Sequence, residues 1–403
     1  MRSNQLSYRA VFVLASVFVS CLRVQRYTFF TYYQTICETF YVIFLFCMQC
    51  TLSLVVLHSF CTNFVLMKYS FVIPVYNRPN EIDELLQSLT TQSYKDFEVV
   101  VVEDGSSVLC KEIVEKYSQC LNVTYYFKQN SGPGKSRNYG VERAVGEYVI
   151  ILDSDVVLPD GYLQAVDTEL KLNPCDAFGG PDSAHPSFTP TQKAISYAMT
   201  SFFTTGGIRG GKKKMDKFYP RSYNMGIKRE VYRALNGFSD MRFGEDIDLS
   251  TRIFENHYTA RLFPTAWVWH KRRTDFKKFF KQVFNSGIAR INLTKRHPGT
   301  LKLVHTLPAL FTIGCALLIL LGFIMLVCGC ACWGLFAVPF ALFAILILVD
   351  SAVRASSIKV GLLSIVAAFV QLWGYGLGFC TAWWKRCVCK KDEFEAFHNS
   401  FYK

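Results

Sequence analysis

The chain has 403 residues, 51% of them hydrophobic, and a formal net charge of +13. That apolar content is too high for an ordinary water-soluble enzyme, and the length suits one large domain with an appendage, or two domains. The positive charge does not point to nucleic acid. Basic residues gather between Arg209 and Arg296 and again after Lys385, beside apolar segments and without a nucleic-acid motif, so attraction to an anionic membrane surface accounts for them more simply.

Residues 1–66 are rich in aromatics and cysteine and contain no Gly or Pro. Between Arg9 and Arg23 the apolar run is too short to cross a bilayer; residues 41–67 are long enough but leave almost no linker before the first strand. Fifteen cysteines are present, an odd count. Cys328, Cys330 and Cys332 fall in or beside apolar stretches and Cys387 and Cys389 form C-x-C, so neither a disulfide framework nor zinc spacing emerges and reduced thiols are expected.

A regular alternation follows. Residues 70–75 predict a strand, closed by Pro74 and the Asn77-Arg78-Pro79 turn. Ile82, Leu85, Leu86 and Leu89 have helical spacing. The β-branched run at 97–102 predicts a strand buried on both faces. A helix near 109–117, a strand near 122–127, a helix near 135–145 and a strand at 148–152 continue the pattern. Repeated βα units imply a mainly parallel, doubly wound α/β sheet, whose ligands bind beyond the carboxyl ends of the strands.

Several polar segments sit at those ends. Asp104 closes the second strand in Glu103-Asp104-Gly105-Ser106, where it could accept hydrogen bonds from a nucleobase edge or merely cap the turn. Asn130-Ser-Gly-Pro-Gly-Lys-Ser-Arg137-Asn-Tyr-Gly140 opens a helix, and its backbone N–H groups with Lys135 and Arg137 could make an anion site, the alternative being a tight turn with solvated basic residues. Asp153-Ser-Asp155 leaves an apolar strand, so both carboxylates can reach one divalent cation, Mg²⁺ or Mn²⁺, together with phosphate oxygens. Gly244-Glu245-Asp246-Ile-Asp248 opens another helix, and Trp269-His270-Lys271-Arg272-Arg273 ends another strand.

Residues 275–284 interleave basic and aromatic side chains as an interfacial helix would, the alternative being a helix packed on the sheet with a solvated basic face. From Leu303 to Val349 there is no Asp, Glu, Lys or Arg, enough for two spans of about 20 residues each. A polar link with Asp350, Arg354 and Lys359 then precedes a third apolar stretch at 360–384. Arg290, Lys295, Arg296 and Lys302 before the first span predict a cytoplasmic domain. With three spans Lys385, Arg386, Lys390 and Lys391 fall outside; two spans and an interfacial or re-entrant third segment keep them inside. Gly361, Gly374, Gly376 and Gly378 in that segment allow close helix contacts or a break.

Taken in order, Phe71-Val-Ile-Pro-Val-Tyr-Asn77, Val99-Val-Val-Val-Glu-Asp-Gly-Ser106, Leu152-Asp-Ser-Asp155 and Phe243-Gly-Glu-Asp246 resemble the nucleotide-sugar site of family-2 inverting glycosyltransferases with the GT-A fold. The resemblance covers about 68–293. It implies an α/β GT-A domain at 67–296; the residues themselves add an interfacial helix near 275–290, a membrane region of two or three spans at 303–384 and a basic tail at 385–403. It assigns nucleotide-sugar contacts to Pro74, Asn77, Asp104, Lys135, Arg137, Asp153 and Glu245, metal ligation to Asp153, Asp155 and His270, and the role of base to Asp246. His270 could instead meet the diphosphate. The implied reaction is metal-assisted, inverting transfer of a sugar from a nucleotide-diphosphate donor to a hydroxyl of a lipid-linked or glycan acceptor. The implied setting is a bacterial-type inner (cytoplasmic) membrane. Enzymes of this family often begin a few residues before the first strand, so translation is expected to start at Met67, a genuine N-terminal anchor being the alternative. No Q-x-x-R-W segment follows Asp246, which argues against a processive synthase. A polyprenyl-phosphate sugar transferase is the nearest enzymatic alternative, and a non-catalytic membrane scaffold the alternative from another class.

Overall fold

The computed structural model describes residues 68–397, apart from 184, 186, 207–217, 272 and 273. The N-terminal extension, the start at Met67 and the Arg272-Arg273 pair lie outside the described residues.

The chain begins with β1 (Tyr69–Val75), α1 (Pro79–Thr90), β2 (Phe97–Asp104), α2 (Lys111–Tyr117), β3 (Val123–Lys128), α3 (Pro133–Arg143) and β4 (Tyr148–Leu152). The second part of the domain has β5 (Val156–Val157), α4 (Tyr162–Leu172), β6 (Ala177–Gly179), β7 (Asp182–Ser183), α5 (Pro190–Thr200), α6 (Phe202–Thr205), β8 (Asn224–Lys228) and α7 (Arg229–Ala234). It closes with α8 (Glu245–Glu255), β9 (Ala260–Leu262), β10 (Val268–His270) and α9 (Phe276–Arg296). Three long helices follow, α10 (Leu303–Val327), α11 (Val338–Ala355) and α12 (Ile358–Trp383).

Seven strands form the main sheet in the order β3-β2-β1-β4-β8-β6-β9, with β8 antiparallel to both of its neighbours and every other pairing parallel. Alternate residues of β1 serve opposite faces. Phe71, Ile73 and Val75 pack with Ile82, Leu85 and Leu86 of α1 and with Tyr162 and Val166 of α4. Val72 joins Val100, Val102, Val141, Leu249 and Ile253 on the side of α3 and α8. Helices on both faces explain why these strands read as unbroken apolar runs.

A second sheet, β5-β10-β7, contains the strand expected to end at Trp269-His270; its other two strands are too short to leave a sequence signal. In it β10 pairs antiparallel with β5, setting His270 opposite Val156, and parallel with β7, setting Val268 opposite Asp182. This clip carries His270 across to the end of β4.

Helices α10 and α11 and the 3₁₀ turn between them are almost unpacked: 6% of the apolar window is buried in each of the first two candidate spans and 44% in the third. All three are long and apolar enough to cross a membrane. The expected polar link is helical instead. Asp350 and Arg354 lie in the last turns of α11 and Lys359 in the first turn of α12, leaving only Ser356 and Ser357 between them. Asp350 accepts a hydrogen bond from Tyr197 Oη at 2.6 Å and from Arg354 Nε at 3.0 Å, so its charge is partnered without a loop.

Helix α12 runs against α5 and α9 of the α/β domain, with Ala367 packed among Ala194, Ile195, Phe279 and Val283. The glycines make close contact here and not a break. A Cβ on Gly378 would lie 2.0 Å from the carbonyl oxygen of Phe284, and one on Gly287 would lie 2.2 Å from that of Tyr375. Beyond α12 the chain turns back onto α9: Asn285 and Asn292 donate to the carbonyls of Ala396 and Phe394, and Arg296 pairs with Glu393 at 3.0 Å.

Candidate active site

The carboxyl ends of β1, β2 and β4, the start of α8 and the end of β10 enclose a crevice of about 280 Å³. Asp104, Asp153, Asp155, Glu245, Asp246 and His270, read from separate stretches of sequence, all line it, as do Pro74 and Arg137. Asp155 and Asp246 therefore share one space, as a common reactant requires.

Arginines hold four of these acids: Arg137, from the glycine-rich segment already singled out, and Arg78 and Arg221, to which no role was given from sequence. Arg137, only 4% exposed, reaches Asp153 Oδ1 at 2.7 Å with one guanidinium nitrogen and Glu245 Oε1 at 2.9 Å with the other, and its plane lies over Phe238. Arg221 Nε pairs with Asp246 Oδ2 at 3.0 Å, while the other oxygen of Asp246 accepts from the N–H of Ile247 at 2.8 Å. Arg78 pairs with Asp155 Oδ2. Arg78 and Arg221 lie in turns, and partners so remote in sequence leave no spacing to read.

Local geometry explains how α8 presents its acids. Gly244 adopts φ +84°, and a Cβ there would meet Leu293 at 3.0 Å, so the chain enters the helix through a turn that glycine alone makes cheaply. Glu245, Asp246 and Asp248 then occupy the first turn, where the helix dipole favours negative charge. Burial lifts the Glu245 carboxyl from its ordinary 4.5 to about 7, against the pull of Arg137 and with some help from neighbouring Asp246. Asp248 does not line the crevice. It is buried between Arg252 and His297, which hold its carboxyl below the usual range despite the opposing effect of burial, and it fastens α8 to the end of α9.

One oxygen or nitrogen from each of Asp153, Asp155 and His270 lies within 4.8 Å of the others. His270 is braced for this position. Its Nε2 is 3.4 Å from Asp155, its Nδ1 3.7 Å from Asp182, and its ring stacks on Tyr223 at 4.9 Å. Two carboxylates and an imidazole suit a cation such as Mn²⁺ and, with a carboxylate behind the histidine, resemble built metal sites in general.

The remaining residues singled out from sequence are placed differently. Asp104 lines the crevice, but Oδ1 accepts from Lys128 Nζ at 2.6 Å and from Ser131 N at 2.9 Å, while Oδ2 accepts from Gly132 N at 2.9 Å. Its carboxylate thus shapes the glycine-rich loop. Asn77 does not line the crevice: its Oδ1 accepts from the N–H groups of Ser107 and Val108, tying the turn after β1 to the turn after β2. Lys135 also lies off the crevice, half-exposed and 3.3 Å from Asp240.

The glycosyl transferase family 2 model matches residues 70–235, the span that builds β1 to α7. This domain belongs to glycosyl transferase family 2. Glu245, Asp246 and His270 lie beyond the matched residues. Among curated relatives, an uncharacterised glycosyltransferase of Rickettsia felis is 31% identical over 137 residues, 34% of this chain and 22% of that protein. The poly(ribitol-phosphate) beta-N-acetylglucosaminyltransferase TarS of Staphylococcus aureus is 45% identical over 94 residues, 22% of this chain and 16% of TarS. The chain spans about a fifth of the length of these relatives. The crystal structure of S. aureus TarS 1–349 in complex with UDP-GlcNAc is 20% identical, covering 76% of this chain and 90% of that one, with a TM-score of 0.42. The mannosyltransferase PcManGT from Pyrobaculum calidifontis, in complex with GDP-Man and Mn²⁺, is 18% identical, covering 76% and 87%, with a TM-score of 0.47.

Proposed function

We propose that the protein is a membrane-bound inverting glycosyltransferase that moves a sugar from a nucleotide-diphosphate donor to the hydroxyl of a lipid-linked or glycan acceptor. The observation that carries this reading is the convergence of Asp153, Asp155, Glu245 and Asp246 on one crevice at the carboxyl ends of the strands of a family 2 domain. TarS, named for adding N-acetylglucosamine to poly(ribitol phosphate), supports the general class and leaves the sugar of this chain open.

In this reading Asp246 removes the proton from the acceptor hydroxyl, and that oxygen attacks the anomeric carbon opposite the departing nucleotide diphosphate. Arg221 keeps the carboxylate oriented for the purpose. Arg137 fixes Asp153 against Glu245, so that the base and the diphosphate-binding side keep their separation. Asp153, Asp155 and His270 would hold Mg²⁺ or Mn²⁺, which supplies positive charge to the leaving diphosphate when bound. Arg78 and Lys271 line the same side of the crevice and offer further charge to the phosphates. The three apolar helices and the flanking basic residues support a membrane setting with the domain on the cytoplasmic side.

The decisive experiment is a panel of nucleotide sugars offered to the detergent-extracted protein with and without Mn²⁺. Asp246→Asn should lose transfer by at least about 10²-fold, as removal of a general base does, while donor affinity changes little. An Asp246→Asn enzyme with normal turnover would remove the assigned base.

A further inference from the structure

On the far side of Asp246 the crevice continues into a larger cavity of about 550 Å³, within the range of about 300–1,000 Å³ usual for small-molecule sites. It is bounded by α6, the start of α8, α9, the first part of α10 and the middle of α12. Arg221, Phe243, Gly244 and Asp246 border both spaces, so the carboxylate assigned as base stands at the neck between them. The larger space is walled mainly by carbon, with Phe203, Leu293, Leu307, Phe311 and Leu372 among its residues. A hydrated glycan would lose its water there without recovering its hydrogen bonds, whereas a hydrocarbon chain would gain by entering.

Polar side chains interrupt that wall, Ser286, Arg290, His305 and Gln371 among them. Arg290 Nε on α9 and Gln371 Oε1 on α12 are shut off from solvent and have no hydrogen-bond partner. The arginines of the crevice are ion-paired, Arg78 to Asp155, Arg137 to Asp153 and Glu245, and Arg221 to Asp246. Among the described residues no carboxylate pairs with Arg290. Burial of an unsatisfied polar group is costly, and a planar guanidinium is matched by a phosphate.

We propose that the acceptor is a phosphate-bearing lipid. Its hydrocarbon chain lies in the cavity between α9, α10 and α12, its phosphate meets Arg290, and the hydroxyl that receives the sugar sits at Asp246. This assignment rests on the transferase reading above. The acceptor oxygen forms its bond to the anomeric carbon as the bond from that carbon to the diphosphate breaks. The hydroxyl proton passes to Asp246 and the bonding pair leaves with the nucleotide diphosphate.

The test uses the full chain in detergent and a long-chain alkyl phosphate with a photoactivatable diazirine in its tail, against the same tail ending in a neutral alcohol. The phosphate probe should label peptides from 286–293 and 304–311 about tenfold more efficiently than the neutral one. Arg290→Gln should erase that preference and Arg290→Lys should retain it, which separates lost charge from lost folding. Equal labelling by the two head groups, or label spread evenly over the outward faces of α10 and α11, overturns the proposal. Nucleotide-sugar binding by the same preparation is measured in parallel. Donor binding without cavity labelling removes the lipid and spares the transferase reading; labelling without donor binding removes that reading and the acceptor role with it.

Discussion

Arg137 has one guanidinium nitrogen on Asp153 at the end of β4 and another on Glu245 at the start of α8, in a place almost without solvent. Removing it would strand two carboxylates against each other. Breaking a buried pair in this way usually costs about 3–5 kcal/mol, because the surviving charge stays buried. Arg137→Met should therefore destabilise the protein by that amount in chemical denaturation, and Arg137→Lys by less, since an ammonium keeps the positive charge although it cannot span both acids. A loss under about 1 kcal/mol would mean that the pair is not the buried lock described here. Glu245 adds a pH signature. Its carboxyl keeps its proton to about 7 in the folded chain and to 4.5 in the unfolded one, with burial the chief cause. The folded state therefore binds more protons across that window, so stability falls as pH rises from about 4.5 to about 7. In thermal unfolding scans Glu245→Gln should flatten this part of the profile; an unchanged slope would assign it to another group. The acids were legible because D-x-D and E-D are short patterns at strand and helix ends. Their arginines were legible only in part: Arg137 stood out in the glycine-rich segment, but its carboxylate partners, like Arg78 and Arg221 with theirs, did not, because an ion pair closed by the fold leaves no mark in local spacing.

At the scale of elements, the sheet was readable from β-branched runs and helical spacing, whereas the β5-β10-β7 clip and the position of α12 were not. A helix that is apolar all round reads the same whether lipid or protein surrounds it. Here α12 meets α11 and α10 by different parts of its length, Gly361 near Ala352 and Gly376 near Pro308 and Thr312, and gives another side to α5 and α9. The glycines marked that contact in sequence without naming the partner. The segment after α12 then lies on α9, and Glu395 comes within 3.7 Å of Arg242, which lines the crevice. The basic tail should accordingly share a compartment with the α/β domain, as two crossing helices and a third held to the domain would give. Cys387 and Cys389 are exposed natural reporters. An impermeant maleimide should label them in inverted membrane vesicles and miss them in intact cells, with the remaining cysteines replaced. Labelling in intact cells would place the tail on the opposite side and require all three helices to cross.

In the whole molecule, the α/β domain and the apolar helices are joined by a continuous interior and not by a tether. Ile195, Phe279 and Val283 form one buried cluster with α12, and Ile288 and Ile291 share another with Ala309, Phe379 and Ala382. Each such side chain contributes about 1.5–3 kcal/mol when fully buried. Even half of that sum is comparable to the entire stability of an ordinary domain, about 5–15 kcal/mol. A chain cut after residue 300 keeps every residue of the candidate crevice, so motif reading alone would expect a soluble, donor-binding domain. The packing predicts otherwise. With α10 to α12 gone, the apolar faces of α5 and α9 would be bare, and Asn285, Asn292 and Arg296 would lose the returning tail. Residues 67–300 should therefore aggregate, or stay in solution only with detergent, while the full chain in the same detergent runs as a discrete species by size-exclusion chromatography. A monodisperse, detergent-free fragment unfolding at the midpoint of the full chain would show that the helices serve as an anchor alone, and that the acceptor cavity they help to wall is not part of the folded domain.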